Sequence, residues 1–325
     1  MDFNDIVGHQ RIIKNLQKAI ERGHLSHCYL FEGEGSLGKK KVALAFAKTL
    51  LCKEEGLTPC NRCKSCLKFD SGNHPDLILI EPEKGLIKKK LIDDLIKDMN
   101  KAPYESKRRI IIIDDSHDIG IEGQNALLKT LEEPPSYINI ILISHNSNNL
   151  IPTILSRCEI VKFTPIESEM IVNLLTNKYG KTEEEAHFIA NFTKGSIGKA
   201  IALCQSDSFF EKRDEIIQIV GSILQGDKTK IFNSMEFFLE HKDDYHELLD
   251  IILYWIRDLI IYQETKDSNL VLNKDKIPLI LNIPNLKLDR INGIIDTIIE
   301  TKQNIDRNVN YQLAIETMLL KFQEV

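Results

Sequence analysis

Four cysteines, Cys52, Cys60, Cys63 and Cys66, follow the spacing C-x7-C-x2-C-x2-C. Four thiolates suit a tetrahedral zinc ion, and a C-x2-C turn places two sulfurs on one side of the metal. The intervening Leu57-Thr58-Pro59-Cys60-Asn61-Arg62-Cys63 is rich in turn formers. A structural zinc site is the expectation, because four protein ligands leave no position open for a reacting water. The alternative reading is a redox pair or unpaired buried thiols. Cys28, Cys158 and Cys204 are scattered and read as small buried hydrophobes.

A second cluster lies just upstream. The apolar His27-Cys28-Tyr29-Leu30-Phe31 runs into Gly33-Glu34-Gly35-Ser36-Leu37-Gly38-Lys39-Lys40, and the helix-forming Val42–Ala47 follows. Strand, glycine-rich turn and helix form the setting of a phosphate loop, in which backbone N–H groups and a helix N-terminus face an anion. Gly33, Gly38 and Lys39 match G-x4-G-K-[ST]; Lys40 stands where a Ser or Thr hydroxyl would reach Mg²⁺. An ammonium has no lone pair to offer a metal.

Arg108 and Arg109 precede the run Ile110-Ile111-Ile112-Ile113, which ends in Asp114 and Asp115. Such a continuous branched run reads as a strand buried on both faces. Acids at its C-terminal end sit where open α/β sheets bind ligands. Asp114 is the candidate Mg²⁺ carboxylate. Asp115 occupies the place where a water-orienting Glu is usual, and the alternative for it is a helix N-cap. A further strand, Ile138–Ile143, ends in Ser144-His145-Asn146. Between the two strands, Leu127, Leu128 and Leu131 share a helix face that Pro134-Pro135 terminates. Strands alternating with helices predict a parallel sheet covered on both faces.

Val7-Gly8-His9-Gln10, the phosphate loop, the cysteine insert, Leu127-Leu128-Lys129-Thr130-Leu131-Glu132-Glu133-Pro134-Pro135 and Pro152-Thr153-Ile154-Leu155-Ser156-Arg157-Cys158 occur in that order. Together they resemble the bacterial clamp-loader subunits of the AAA+ class. The resemblance implies an AAA+ domain over 1–163 with a zinc module at 52–66, a helical lid over 164–204 and a helical oligomerisation collar over 205–325. It implies that Val7 and Gly8 line an adenine pocket, and that Gly33, Gly35, Gly38 and Lys39 form the phosphate loop. By the same resemblance Ser144–Asn146 is the sensor-1 region, Lys199 takes the lid position that often carries Arg, and Arg157 is an arginine finger for a neighbouring ATPase. Lys40 and Asp115 both depart from the hydrolytic pattern. The expectation is therefore a stator-type subunit of the DNA polymerase III clamp loader that takes ATP or ADP without efficient hydrolysis. Its implied partners are the gamma/tau and delta-type subunits, the sliding clamp and primer-template DNA. An active motor subunit is the alternative, weakened by a chain that stops near the collar; a zinc-dependent DNA-binding module on the same scaffold is another.

Beyond residue 163 the pattern becomes helical. Thr182-Glu183-Glu184-Glu185 reads as a capped helix start, and Leu248–Ile261 is apolar on more than one side. The chain has 325 residues with 42 Lys+Arg against 48 Asp+Glu, a net charge of −6, which excludes a wholly basic nucleic-acid footprint. Lys39–Lys41 and Lys88–Lys90 are either local phosphate contacts or solvated faces. No apolar run has the length of a membrane span, and the acidic start lacks an apolar signal core, so a cytoplasmic protein is expected.

Overall fold

The computed structural model describes residues 2–206 and 208–324; Met1, Asp207 and Val325 lie outside the described residues. The chain divides into two compact units. The first runs through Leu174 and resumes at Thr193–Ala200; the second comprises Leu175–Phe192 and the chain from Ile201 onward.

The first unit is built on five parallel strands: β1 (Cys28–Glu32), β2 (Leu77–Ile80), β3 (Arg109–Ile113), β4 (Ile138–Ser144) and β5 (Glu159–Lys162). Their order across the sheet is β2-β3-β4-β1-β5. Side chains alternate between the two faces. Tyr29, Phe31, Ile110, Ile112, Ile141 and Ile143 pack under helices α1 (Gln10–Glu21), α2 (Lys39–Leu51) and α3 (Lys64–Asp70). Cys28, Leu30, Ile111, Ile113, Ile140 and Leu142 pack under α4 (Lys89–Met99), α5 (Ile121–Glu132) and α6 (Pro152–Leu155). Ile110 to Ile113 are fully buried. Each such side chain contributes about 1.5–3 kcal/mol of burial, which is why an unbroken isoleucine run suits a central strand.

Every strand of the sheet ends on the same edge, so the residues after β1, β3 and β4 become neighbours there. Ser144 pairs with Glu32 across β4 and β1, and Gly33 N–H donates to the Ser144 carbonyl at 3.2 Å. The phosphate loop, the two acids and the histidine after β4 thus share one rim.

In the second unit the helix Glu183–Phe192 opens on the expected capping box. Glu185 N–H donates to Thr182 Oγ1 at 3.2 Å, and Thr182 N–H donates back to the Glu185 carboxylate at 3.0 Å. The helices Phe209–Leu224, Tyr245–Thr265, Leu288–Asp306 and Tyr311–Glu324 pack together. Trp255, Leu248, Ile252 and Leu259 of the second of these are fully buried. Leu249, Ile251 and Ile256 are also buried, so this helix is enclosed on more than one side. Among the described residues no helix is long and apolar enough to cross a membrane.

Candidate nucleotide-type site and four-cysteine centre

The phosphate loop leaves β1 at Gly33, whose φ of 151° and surroundings admit only glycine: a Cβ there would lie 2.5 Å from the Phe163 carbonyl oxygen. Ser36 (φ 62°) and Gly38 (φ 93°) complete the left-handed turn that opens α2. Lys39, the first residue of α2, is buried and donates to the Gly33 carbonyl at 2.6 Å and the Glu34 carbonyl at 2.5 Å. Burial lowers its pKa against the pull of Asp115, Asp114 and Glu34. The segment before Lys199 seals the loop from outside. Ser196 Oγ donates to the Gly35 carbonyl (3.2 Å) and Gly198 N–H to the Ser36 carbonyl (2.8 Å). A Cβ on Gly198 would stand 2.9 Å from Ser36. Lys199 itself is exposed.

Lys40 turns toward the acids. Its Nζ is 3.0 Å from Asp114 Oδ2 and also pairs with the Glu81 carboxylate at the end of β2. Burial works against the charge, but the hydrogen bonds Lys40 donates to Glu81 and Asp114 outweigh it and raise the lysine pKa. The ammonium thus neutralises the carboxylate that a magnesium ion would need. The Asp115 side chain stands apart from this pair, although its backbone N–H donates to Asp114 Oδ1 at 3.2 Å. Asp115 has left-handed backbone angles (φ 45°, ψ 48°), its side chain makes no capping bond to the turn Ser116–Asp118, and its carboxylate lies 3.4 Å from His145 Nδ1. His117, in that turn, is buried with its ring edge against His145, centroids 3.7 Å apart. Burial and the neighbouring His145 lower its pKa, with Asp118 and Asp115 opposing.

Gly8 (φ 76°) and His9 line a cleft of about 540 Å³ between α1 and β5. No residue from 33 to 40 lines it; His9 joins it to the phosphate loop, with its Nε2 2.8 Å from the Leu37 carbonyl. Its ring packs edge-on against Phe163 at 4.8 Å, and burial lowers its pKa. Val7 is half-buried beside it.

The cysteines converge. One sulfur from each of Cys52, Cys60, Cys63 and Cys66 lies within 4.8 Å of the others, with Cys52–Cys63 and Cys60–Cys66 at 4.0 Å. Sulfurs about 2.3 Å from a tetrahedral zinc are roughly 3.8 Å apart, so the donor set fits such an ion. Backbone N–H groups of Cys60, Cys63 and Cys66 each point at a sulfur, of Cys52, Cys60 and Cys63 respectively, at 3.4 Å. These donors favour thiolates. The Cys63 pKa falls to about 6: burial opposes the fall, and the N–H groups of Cys66 and Lys53 outweigh it. Burial pushes Cys52 and Cys66 up. A cation stands behind the centre. Lys48 of α2 is 1% exposed, and its Nζ reaches Asn61 Oδ1 (2.5 Å) within the cysteine loop and Asp70 Oδ2 (2.8 Å).

Arg157 follows α6. Its guanidinium donates to the Thr153 carbonyl at 2.7 Å and to Glu132 Oε1 at 2.6 Å, and about a third of the side chain remains exposed. Of the two lysine runs, Lys39 is buried and Lys40 is paired, so 39–41 is no solvent-facing stripe. Lys88 and Lys89 pair with Glu83 and Glu122.

Sequence reasoning did not single out Glu81, His117 or Lys48. A short strand, Leu77-Ile78-Leu79-Ile80, placed Glu81 at the shared rim and was the one available signal for it. His117 sits two residues past an acid that was recognised, while nothing near Lys48 in the chain marks it as a partner of Asn61 and Asp70.

Five parallel strands, a phosphate loop after β1, acids after β3 and a helical C-terminal region define the AAA+ class of P-loop proteins. Residues 8–167 match the family described as "DNA polymerase III, delta subunit", and residues 207–324 match "DNA polymerase III, delta subunit, C terminal". The chain is 32% identical over 318 residues to DNA polymerase III subunit delta' of Bacillus subtilis (strain 168), covering 97% of this chain and 96% of that protein. It is 30% identical over 300 residues to the tau subunit of the same organism, covering 85% of this chain and 53% of that protein. A DNA polymerase III gamma subunit-related protein of Thermotoga maritima aligns at 18% identity and a TM-score of 0.48, covering 96% of this chain and 98% of that one. The chain belongs to the DNA polymerase III delta-subunit family.

Proposed function

We propose that the chain serves as the delta-prime, stator-type subunit of a DNA polymerase III clamp loader, working with gamma/tau and delta subunits to place the sliding clamp on primer-template DNA. The observation that carries this reading is the Lys40–Asp114 ion pair at 3.0 Å. Hydrolysis by P-loop enzymes needs a metal held by a P-loop hydroxyl and a carboxylate. Here the hydroxyl is replaced by an ammonium, and that ammonium holds the carboxylate. Gly33, Gly35, Gly38 and Lys39 retain the phosphate cradle, so ATP or ADP can be held there without efficient turnover, with Val7, Gly8 and Lys199 as outlying contacts. Asp115, turned toward His145, is poorly disposed to orient a water.

In this reading residues 1–163 form the AAA+ domain, 164–204 the lid and 205–325 the collar. The four cysteines hold a structural zinc. Arg157 acts in trans: a guanidinium supplied by a neighbour stabilises charge on a transferring phosphoryl group. Its hold on Glu132, at 2.6 Å and partly exposed, is a resting contact that an incoming phosphate would outcompete.

Two assays test the reading. The purified chain should hydrolyse ATP negligibly; turnover on the order of 1 s⁻¹ would overturn the stator assignment. In the reconstituted complex Arg157→Ala should lower ATPase at least about tenfold, well within what an arginine finger supplies, while gel filtration shows assembly intact. Unchanged ATPase would remove the finger role.

A further inference from the structure

We propose that Asp115, His117 and His145 form a second metal site, for a divalent transition metal of the zinc type, separate from the four-cysteine centre. One donor atom from each residue lies within 4.8 Å of those of the other two. The residues come from two strand ends: Asp115 and His117 follow β3, and His145 follows β4.

Three features favour a ligand over a chance cluster. His117 is 8% exposed, and its buried Nδ1 has no hydrogen-bond partner among the described residues. Its other nitrogen, Nε2, is 3.7 Å from Asp118 Oδ1. That separation is longer than a hydrogen bond, so the carboxylate would orient the opposite nitrogen toward a metal only after the ring moves a few tenths of an ångström closer. Asp115 holds left-handed backbone angles, uncommon for a residue with a side chain, and its carboxylate stands beside His145 Nδ1 at 3.4 Å.

The donor set selects the metal. Two imidazoles and one carboxylate suit zinc and its neighbours rather than magnesium, which prefers oxygen alone. Asp114, the remaining acid of the rim, is held by Lys40 and is not part of the set. Lys39, whose charge also acts on His117, is fastened to the Gly33 and Glu34 carbonyls. Donors about 2.0–2.1 Å from a tetrahedral zinc are roughly 3.4 Å apart, so the cluster must tighten. His145, half exposed, is the member free to swing inward, while His117 is fixed by burial. Three protein ligands leave a fourth position for water. The metal would bridge β3 and β4 at the rim where hydrolytic relatives of the P-loop class keep their water-orienting acid.

The test titrates zinc chloride by calorimetry into untagged, full-length protein already carrying one equivalent of zinc. A second equivalent is expected per chain, with affinity falling at least tenfold in both His145→Ala and Asp115→Asn. Circular dichroism of each variant confirms folding; His145, being exposed, is the safer of the two. Absence of a second equivalent in the wild type, or its persistence at unchanged affinity in folded His145→Ala, would overturn the proposal. Loss in Cys63→Ser but not in His145→Ala would assign the zinc to the cysteines and likewise overturn it.

Discussion

Lys40 Nζ lies 3.0 Å from Asp114 Oδ2, so the last residue of the phosphate-loop motif and the acid ending β3 are bonded directly to each other. In a hydrolytic P-loop site a metal ion stands between these positions. An internal ammonium supplies one positive charge where magnesium would supply two, and it is covalently part of the chain.

Nucleotide binding by the wild-type chain is therefore expected to be insensitive to magnesium. Lys40→Thr restores a hydroxyl and frees Asp114. Titration of a fluorescent ADP analogue, with magnesium and with EDTA, should show a gain of magnesium dependence of about tenfold in the variant, about 1.4 kcal/mol. Equal magnesium dependence in both proteins would refute the substitution of ammonium for metal.

Gly33 has no room for a methyl group, since a Cβ would lie 2.5 Å from the Phe163 carbonyl. Gly33→Ala combines overpacking with an unfavourable φ and should cost about 2–4 kcal/mol in urea unfolding. Gly35→Ala is the control: nothing lies within 4 Å of its Cβ position, and a change below about 1 kcal/mol is expected.

Removing Lys48 strips the cation from behind the cysteine centre. Its side chain is wholly buried but the Asp70 side chain is 41% exposed, so that carboxylate keeps its contact with water when the lysine is gone. Lys48→Met should then cost about 1–2 kcal/mol, less than breaking a fully buried pair. Zinc should also leave faster in a chelator competition; unchanged release kinetics would confine Lys48 to a packing role.

Acid should weaken the first unit through its buried histidines. His74 Nδ1 accepts from Asp76 N–H at 3.1 Å, so the proton sits on Nε2, facing Ser65 Oγ at 2.8 Å; that hydroxyl donates onward to the Leu51 carbonyl. Burial holds the His74 pKa below 6.5, with Asp76 and Glu105 opposing. A base with a depressed folded pKa contributes its full stability above the unfolded value and loses it as pH falls from about 6.5 toward the folded pKa. His9 and His117 shift the same way. The urea midpoint should drop between pH 7.5 and 5.5, and His74→Gln should shrink that drop. An equal drop in the variant would clear His74.

What the sequence disclosed followed from burial and spacing. Ile110–Ile113 could only be a central strand, Gly33 and Gly38 marked the two ends of a tight loop, and C-x2-C spacing brought the sulfurs within reach of one ion. The capping box at Thr182 was legible because its bonds are three residues apart. Pairings across long separations were not. Lys40 meets Glu81 forty-one residues on, and Lys48 meets Asp70 after the chain has circled the cysteine loop. β2 and β5 are four residues each, too short for their pattern to stand out. The acids Asp114 and Asp115 read as a pair, yet the left-handed turn at Asp115 sends the two to different partners.

Helix α2 begins at the phosphate loop and is followed at once by Cys52, the first of the clustered sulfurs. Its 13 residues make a rod about 20 Å long. Phosphate cradle and cysteine knuckle are thus two ends of one lever. A force applied at the knuckle would also bear on the cradle, and a metal held by the four sulfurs would pin the far end of the helix on which the anion site is mounted.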